Sequence, residues 1–309
     1  MTVVRVGGRS ITVAHPDKVL FADVALTKGD LIDFYRTVAP RLLPLLRDRP
    51  LVLHRYPDGA SSPGFIQHDV DASLPSWVAR VVVGKQGGTV THVVGNDEAT
   101  LVYLANLDCV ELHPWLATRD DLTHPDRMVL DLDPSDETSI DSLRATARSL
   151  RDVLRSLGLT PFVMTTGSRG YHVVVPLTRR QTFDKVRAVA RAVASAVAAE
   201  APDERTVELA RARRRGRLFV DYLRNGYAQT SVAPYSLRAR PGAPMATPLD
   251  WDELAATTPT TWTWSHARDR LGAPDPWAGM AATSSDLTRV QRLLAAATPP
   301  ASGGSSRAR

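Results

Sequence analysis

The chain has 309 residues, of which 43% are hydrophobic and 23% charged, with a formal net charge of +5. Those proportions suit a globular protein with a sizeable core, and no apolar run reaches the roughly 20 residues that a bilayer-spanning helix needs. The single cysteine, Cys109, excludes an internal disulfide and a cysteine-rich metal site, while the basic balance favours a polyanionic partner without proving one.

The opening residues Met1-Thr2-Val3-Val4-Arg5 lack the apolar stretch of a secretory signal, so a cytoplasmic location is expected. Alternation around Ile11-Thr12-Val13 predicts a strand or hairpin. Thr27 can cap a helix through Leu31, Phe34, Tyr35 and Val38, with Asp30 in the acidic position of a capping box. Residues 51–56 read as a strand stopped by Pro57-Asp58-Gly59. Val78–Val83 and Val90–Val94 flank a glycine-rich segment carrying Lys85, a hairpin with a basic tip. Asn96-Asp97-Glu98 caps a helix to about Leu107. His113 follows, in a stretch that also reads as a turn beside Pro114. A strand over Met128–Asp133, a helix from Ile140 to Leu157, strands at 162–165 and 171–175 and a helix over 182–200 come next. A strand over Arg217–Tyr222 and a last helix over Ser285–Ala296 complete the pattern, and residues 299–309 read as a disordered tail. Strands and helices mix throughout, which predicts an α/β or α+β fold in one catalytic unit over residues 1–298.

Asp131 and Asp133 stand two apart in an apolar strand, so both side chains share a face. Adjacent carboxylates repel, and a divalent cation relieves that conflict; Mg²⁺ and Mn²⁺ prefer hard oxygen ligands. Asp-x-Asp alone also fits a strand end opening a turn at Asp133-Pro134. Asp221 ends a second apolar strand, and three strand-end carboxylates match a two-metal phosphoryl-transfer site. Between two strands lies Thr166-Gly167-Ser168-Arg169-Gly170-Tyr171-His172. Its glycines allow backbone N–H groups to approach phosphate, yet a plain hairpin turn and a core histidine fit as well. It is neither a Walker loop nor a dinucleotide fingerprint, because no Gly-Lys-Ser/Thr and no helix follow it.

Taken in order, Asp-x-Asp, the Thr-Gly-x-x-Gly-x-His loop and an apolar-Asp strand resemble the archaeo-eukaryotic primase superfamily. More closely, the chain resembles the polymerase domain of bacterial ligase D, the end-joining enzyme that works with Ku. Supporting stretches include Pro16–Phe21, Thr27–Leu31, Arg55–Gly59, Glu111–Trp115, Leu130–Pro134, Gly170–Val173, Phe219–Leu223 and Ser231–Pro241. The resemblance implies a primase-like core with two sheets around a metal cleft. It implies two Mn²⁺ or Mg²⁺ ions on Asp131, Asp133 and Asp221, and a phosphate shell of His113, Thr166, Arg169, His172 and Arg238, with Arg224 near the ribose. Lys18 and Lys28 match residues that recognise a 5′-phosphate, and Phe65 matches an aromatic that stacks on a template base. Lys85, Arg214 and Arg215, the last two in the arginine run 211–217, would contact DNA.

Ile66, His68 and Arg169 depart from the pattern, where an aromatic and two lysines are common. No ligase or nuclease motif is present, so the expectation is a stand-alone polymerase using NTP or dNTP on gapped or broken DNA, with Ku and a separate ligase as partners. A de novo primase and a non-catalytic end-binding module are the alternatives.

Overall fold

The computed structural model describes residues 2–70 and 74–297, so the expected tail at 299–309 lies outside the described residues. The chain opens with a ribbon of β1 (Thr2–Val6) and β2 (Arg9–Val13), then a short pair, β3 (Val19–Phe21) and β4 (Leu26–Thr27). Helix α1 (Lys28–Leu46) starts at the expected capping box: the Thr27 hydroxyl accepts from the Asp30 N–H, and the Asp30 carboxylate accepts from the Thr27 N–H. It runs past Pro40 and Pro44 because Leu42 and Leu46 continue its buried stripe.

Five strands form the second sheet: β5 (Pro50–Arg55), β6 (Phe65–Gln67), β7 (Arg80–Lys85), β8 (Gly88–Val94) and β9 (Cys109–Pro114). β5 is its centre, with β6 and β8 on one side and β9 on the other. Helix α2 (Glu98–Asn106) joins β8 to β9, its N-cap Asp97 accepting from the Thr100 N–H. The segment expected as a hairpin tip is mostly strand, for Gly84 and Lys85 pair with Thr89 and Gly88. Residues 109–114 correct the turn reading around His113: they are a full strand, and His113 pairs with Val52.

The larger sheet holds β10 (Arg127–Asp133), β11 (Phe162–Thr165), β12 (Tyr171–Pro176), β13 (Arg205–Thr206), β14 (Leu218–Asp221) and β15 (Pro248–Leu249). Its order is β13-β14-β10-β12-β11-β15. Helices α3 (Ile140–Ser156) and α4 (Phe183–Glu200) cover one face; short α5 (Arg211–Arg214), α6 (Ala267–Gly272) and α7 (Thr288–Ala297) complete the helices. This mixed α/β architecture bears out the expected class.

Strand alternation decides what the other face carries. Met128, Leu130 and Leu132 of β10, Tyr171, Val173 and Val175 of β12, and Leu218 and Val220 of β14 pack with α3 and α4. The intervening residues therefore face the opposite way: Asp131, Asp133, His172 and Asp221 share the other side of the sheet.

Candidate active site

The three aspartates and one histidine meet through register. Asp131 on central β10 is directly opposite His172 on β12 and directly opposite Asp221 on β14, placing three polar side chains in one row. Asp133 lies two residues further along the same face. Burial of Asp131 works against its charge, but the neighbouring His172, 3.4 Å away, and then Arg224 outweigh it and hold the carboxyl below its usual range. Asp221 goes the other way: burial, with the Asp131 charge adding to it, raises its carboxyl although its Oδ1 accepts the Leu223 N–H at 2.6 Å. Arg224 Nε lies 3.4 Å from Asp131 and 3.5 Å from Asp221, standing between the two. That placement is secured by Asn225, whose buried amide takes both the N–H and the C=O of Val129 on β10, at 2.8 and 2.6 Å. Asp133 is held by Arg169 at 2.8 Å and Arg214 at 3.3 Å.

The loop between β11 and β12 closes on itself. The Thr166 hydroxyl donates to Gly170 O at 2.9 Å and accepts from the N–H groups of Ser168 and Gly170. Gly167 has a φ of +62°, and at Gly170 a Cβ would fall 1.7 Å from the carbonyl oxygen of Leu132. A side chain there would collide with β10 backbone, so glycine is what allows the loop to lie against the Asp131–Asp133 segment.

The other wall comes from the five-stranded sheet and a later loop. His113 of β9 and Arg238 line, with Asp131, Asp133, Thr166, Arg169, His172 and Arg224, a polar cavity of about 210 Å³. Burial lowers the His113 imidazole to about 4, so it is neutral near pH 7. A buried carboxylate, Glu111, accepts from His113 Nε2 and Arg238 Nε, both at 2.9 Å. The ligand atoms of His54, Glu111 and His113 lie within 4.8 Å of one another, a spacing that a metal could use. Arg238 already occupies the same Glu111 oxygen, however, and its cation opposes a second one there. A larger cavity of about 600 Å³ lies at the other end of β10 and β12, beside Arg127 and Pro176. Most of its arginines are spent on partners: Arg49 and Arg127 on Asp126, Arg179 on Asp120, and Arg41 on backbone carbonyls. Size therefore does not mark the chemistry; the convergence of acids, histidines and free cationic edges does.

Residues 27–277 match the model of the LigD primase-polymerase domain. The chain belongs to this family. The LigD polymerase domain is a nucleotidyltransferase, and an enzyme of that class uses divalent cations. Among curated relatives, the multifunctional non-homologous end joining protein LigD of Mycolicibacterium smegmatis is 31% identical over 79% of this chain and 32% of its own length. The Pseudomonas aeruginosa protein of the same name is 33% identical over 93% of this chain and 35% of its own length. The chain thus spans about a third of the curated relatives it matches. The polymerase domain of Mycobacterium tuberculosis ligase D, solved in complex with DNA, superimposes with a TM-score of 0.82 at 28% identity, covering 89% of this chain and 99% of that one.

The residues expected to meet DNA divide into distinct settings. The ammonium groups of Lys18 and Lys28 converge on Asp108, at 2.9 and 3.0 Å; Lys18 also donates to Pro57 O and Lys28 to Asn106 O. Asp17, the neighbour in sequence, is not the partner. Phe65 is exposed on β6 with the Arg55 guanidinium 5.2 Å from its ring centroid. Lys85 ends β7 in solvent. Arg215 is exposed, but Arg214 folds inward, 3.7 Å over the Phe219 ring and onto Asp133. Glu111 and His54 join the site without having been marked by the sequence. Glu111 stands in a stretch that carries the family resemblance, but nothing in its spacing says that its partners come from 127 residues away.

Proposed function

We propose that the chain is a template-dependent repair polymerase adding one or a few nucleotides, preferentially ribonucleotides, to a 3′-hydroxyl. Its substrates are short gaps bearing a 5′-phosphate and double-strand-break ends, and the names of its relatives support a place in non-homologous end joining. The observation that carries this reading is the row of Asp131 and Asp221 in register, with Asp133 alongside; Asp131 and Asp133 line a cavity together with His113, His172 and Arg238. Three hard-oxygen donors fit two Mn²⁺ or Mg²⁺ ions, and the raised Asp221 carboxyl marks a cluster with charge left to compensate. When bound, such ions activate the 3′-hydroxyl and neutralise charge on the departing pyrophosphate.

The chain's own residues do the rest. His113, His172 and Arg238 bind the triphosphate oxygens, and Thr166 and Arg169 bring the glycine loop to the same group. Arg224, beside Asp131 and Asp221, orients the ribose. Phe65 stacks on the template, and Lys18 with Lys28 takes the 5′-phosphate in competition with Asp108. Residues 1–298 act as one catalytic unit, cytoplasmic and nucleoid-associated, with Ku and a separate ligase as partners.

A one-nucleotide gap tests this reading. Wild-type protein should fill a gap with a 5′-phosphate faster than the same gap with a 5′-hydroxyl, using NTP more readily than dNTP. Lys18→Ala with Lys28→Ala should erase the phosphate advantage and spare extension of a simple primer-template. Equal filling of both ends by the wild-type protein removes the gap assignment.

A further inference from the structure

We infer that Glu111 is a positioning residue of the nucleotide site, its carboxylate fixing the two side chains, His113 and Arg238, that reach the cleft from different parts of the chain. The inference rests on the reading that the cleft binds a nucleoside triphosphate. Glu111 and His113 are two apart on β9 and so share a face, and His54 of β5 is directly opposite Glu111 in register. Oε2 accepts from His113 Nε2 and Arg238 Nε at 2.9 Å and lies 3.4 Å from His54 Nδ1. Oε1 accepts from the Ala239 N–H at 2.9 Å and from the Tyr56 hydroxyl at 3.4 Å. Glu111 is 4% exposed. Burial would raise its pKa, but hydrogen bonds from His113 and His54 and the Arg238 charge drive it far below the ordinary range, so it is ionised and only accepts.

Each bond to Glu111 decides what its partner offers elsewhere. A carboxylate accepts only, so His113 donates from Nε2, and Nδ1 donates to a phosphate oxygen when the ring takes a second proton, which the Glu111 carboxylate and a bound triphosphate both favour. The ring is further held by stacking on His54, with centroids 4.0 Å apart. Arg238 gives Nε to Glu111 and Nη1 to Thr166 O at 2.8 Å, so the outer edge of the guanidinium is left for an anion. The same contacts tie the glycine loop, β9 and the segment after β14 into one frame. A core carboxylate with a purely structural role would have no need of two cleft-lining side chains as its principal donors.

The experiment measures ATP affinity with Mn²⁺, and the KM values for ATP and for a gapped duplex with template thymine, in wild type and Glu111→Gln. The variant keeps the shape but replaces one acceptor with a donor. Affinity for ATP should fall and its KM rise about 10- to 100-fold, the range expected for hydrogen bonds between charged groups, while the KM for DNA stays within about threefold. In an Arg238→Ala background the same change should add less than about threefold, because the two residues act as a unit. Where Glu111→Gln does not fold, Glu111→Asp, which withdraws the carboxylate by one methylene, carries the same expectation. An unchanged ATP affinity overturns the inference, as does an equal loss for ATP and DNA accompanied by a lower melting temperature. Wild-type protein that binds no ATP overturns the cleft reading itself.

Discussion

Asp221 shows how a single residue in this cleft carries conflicting demands. It lies opposite Asp131 across the β10–β14 pair, and burial together with that neighbour's charge raises its carboxyl. A folded-state pKa above the unfolded value means that the native protein is favoured when Asp221 is protonated, and that this contribution is lost as pH rises through the folded value. At neutral pH the cation-free protein therefore bears an electrostatic cost at this position. Asp221→Asn keeps the oxygen that accepts the Leu223 N–H and removes the charge. The metal-free variant is expected to melt about 2–4 °C above wild type at neutral pH, the shift of a gain near 1 kcal/mol in a protein of this size. The advantage should shrink as pH falls into the carboxylate range, and added Mn²⁺ should stabilise wild type more than the variant. Equal melting temperatures without metal at neutral pH would contradict the assignment of charge strain to Asp221.

At the scale of elements, what could be read from the sequence was what local rules encode. Alternation in Met128–Asp133 placed both aspartates on one face, and the capping box at Thr27 and Asp30 is present as expected. β9 escaped because His113-Pro114 carries a turn signal, while the pairing that makes residues 109–114 a strand comes from β5, more than 50 residues away. The arginine run at 211–217 is the other lesson: charge density alone does not say which side chains are free. Arg214 is committed to Asp133 and Phe219, and Arg217 to the carbonyls of Pro202, Arg213 and Arg214. Arg211, Arg213 and Arg215 remain exposed. Replacing those three with alanine should flatten the salt dependence of DNA binding, by about 0.9 in log–log slope for each duplex phosphate that is no longer neutralised. An unchanged slope would assign the run to solvent.

Across the whole molecule, the two sheets supply different halves of one cleft. The helix-covered sheet presents the aspartates and His172, and the smaller sheet presents His113 on a strand braced by Glu111. Neither half was visible as a unit in the sequence, since Asp131 and Asp221 are brought together by a strand order that no local pattern specifies. Family resemblance supplied the family and its fold in advance, and the match over residues 27–277 bears out that membership. Everything proposed for the cleft depends on these three carboxylates driving templated nucleotidyl transfer. The decisive measurement is single-nucleotide extension of a primer opposite each of the four template bases, with Mn²⁺ or Mg²⁺. Wild type should add the complementary nucleotide, and nothing should be added without a divalent cation or by Asp131→Ala or Asp133→Ala proteins that still bind the duplex. Wild-type-like extension by either variant at saturating metal, or addition indifferent to the template base, would refute the assignment.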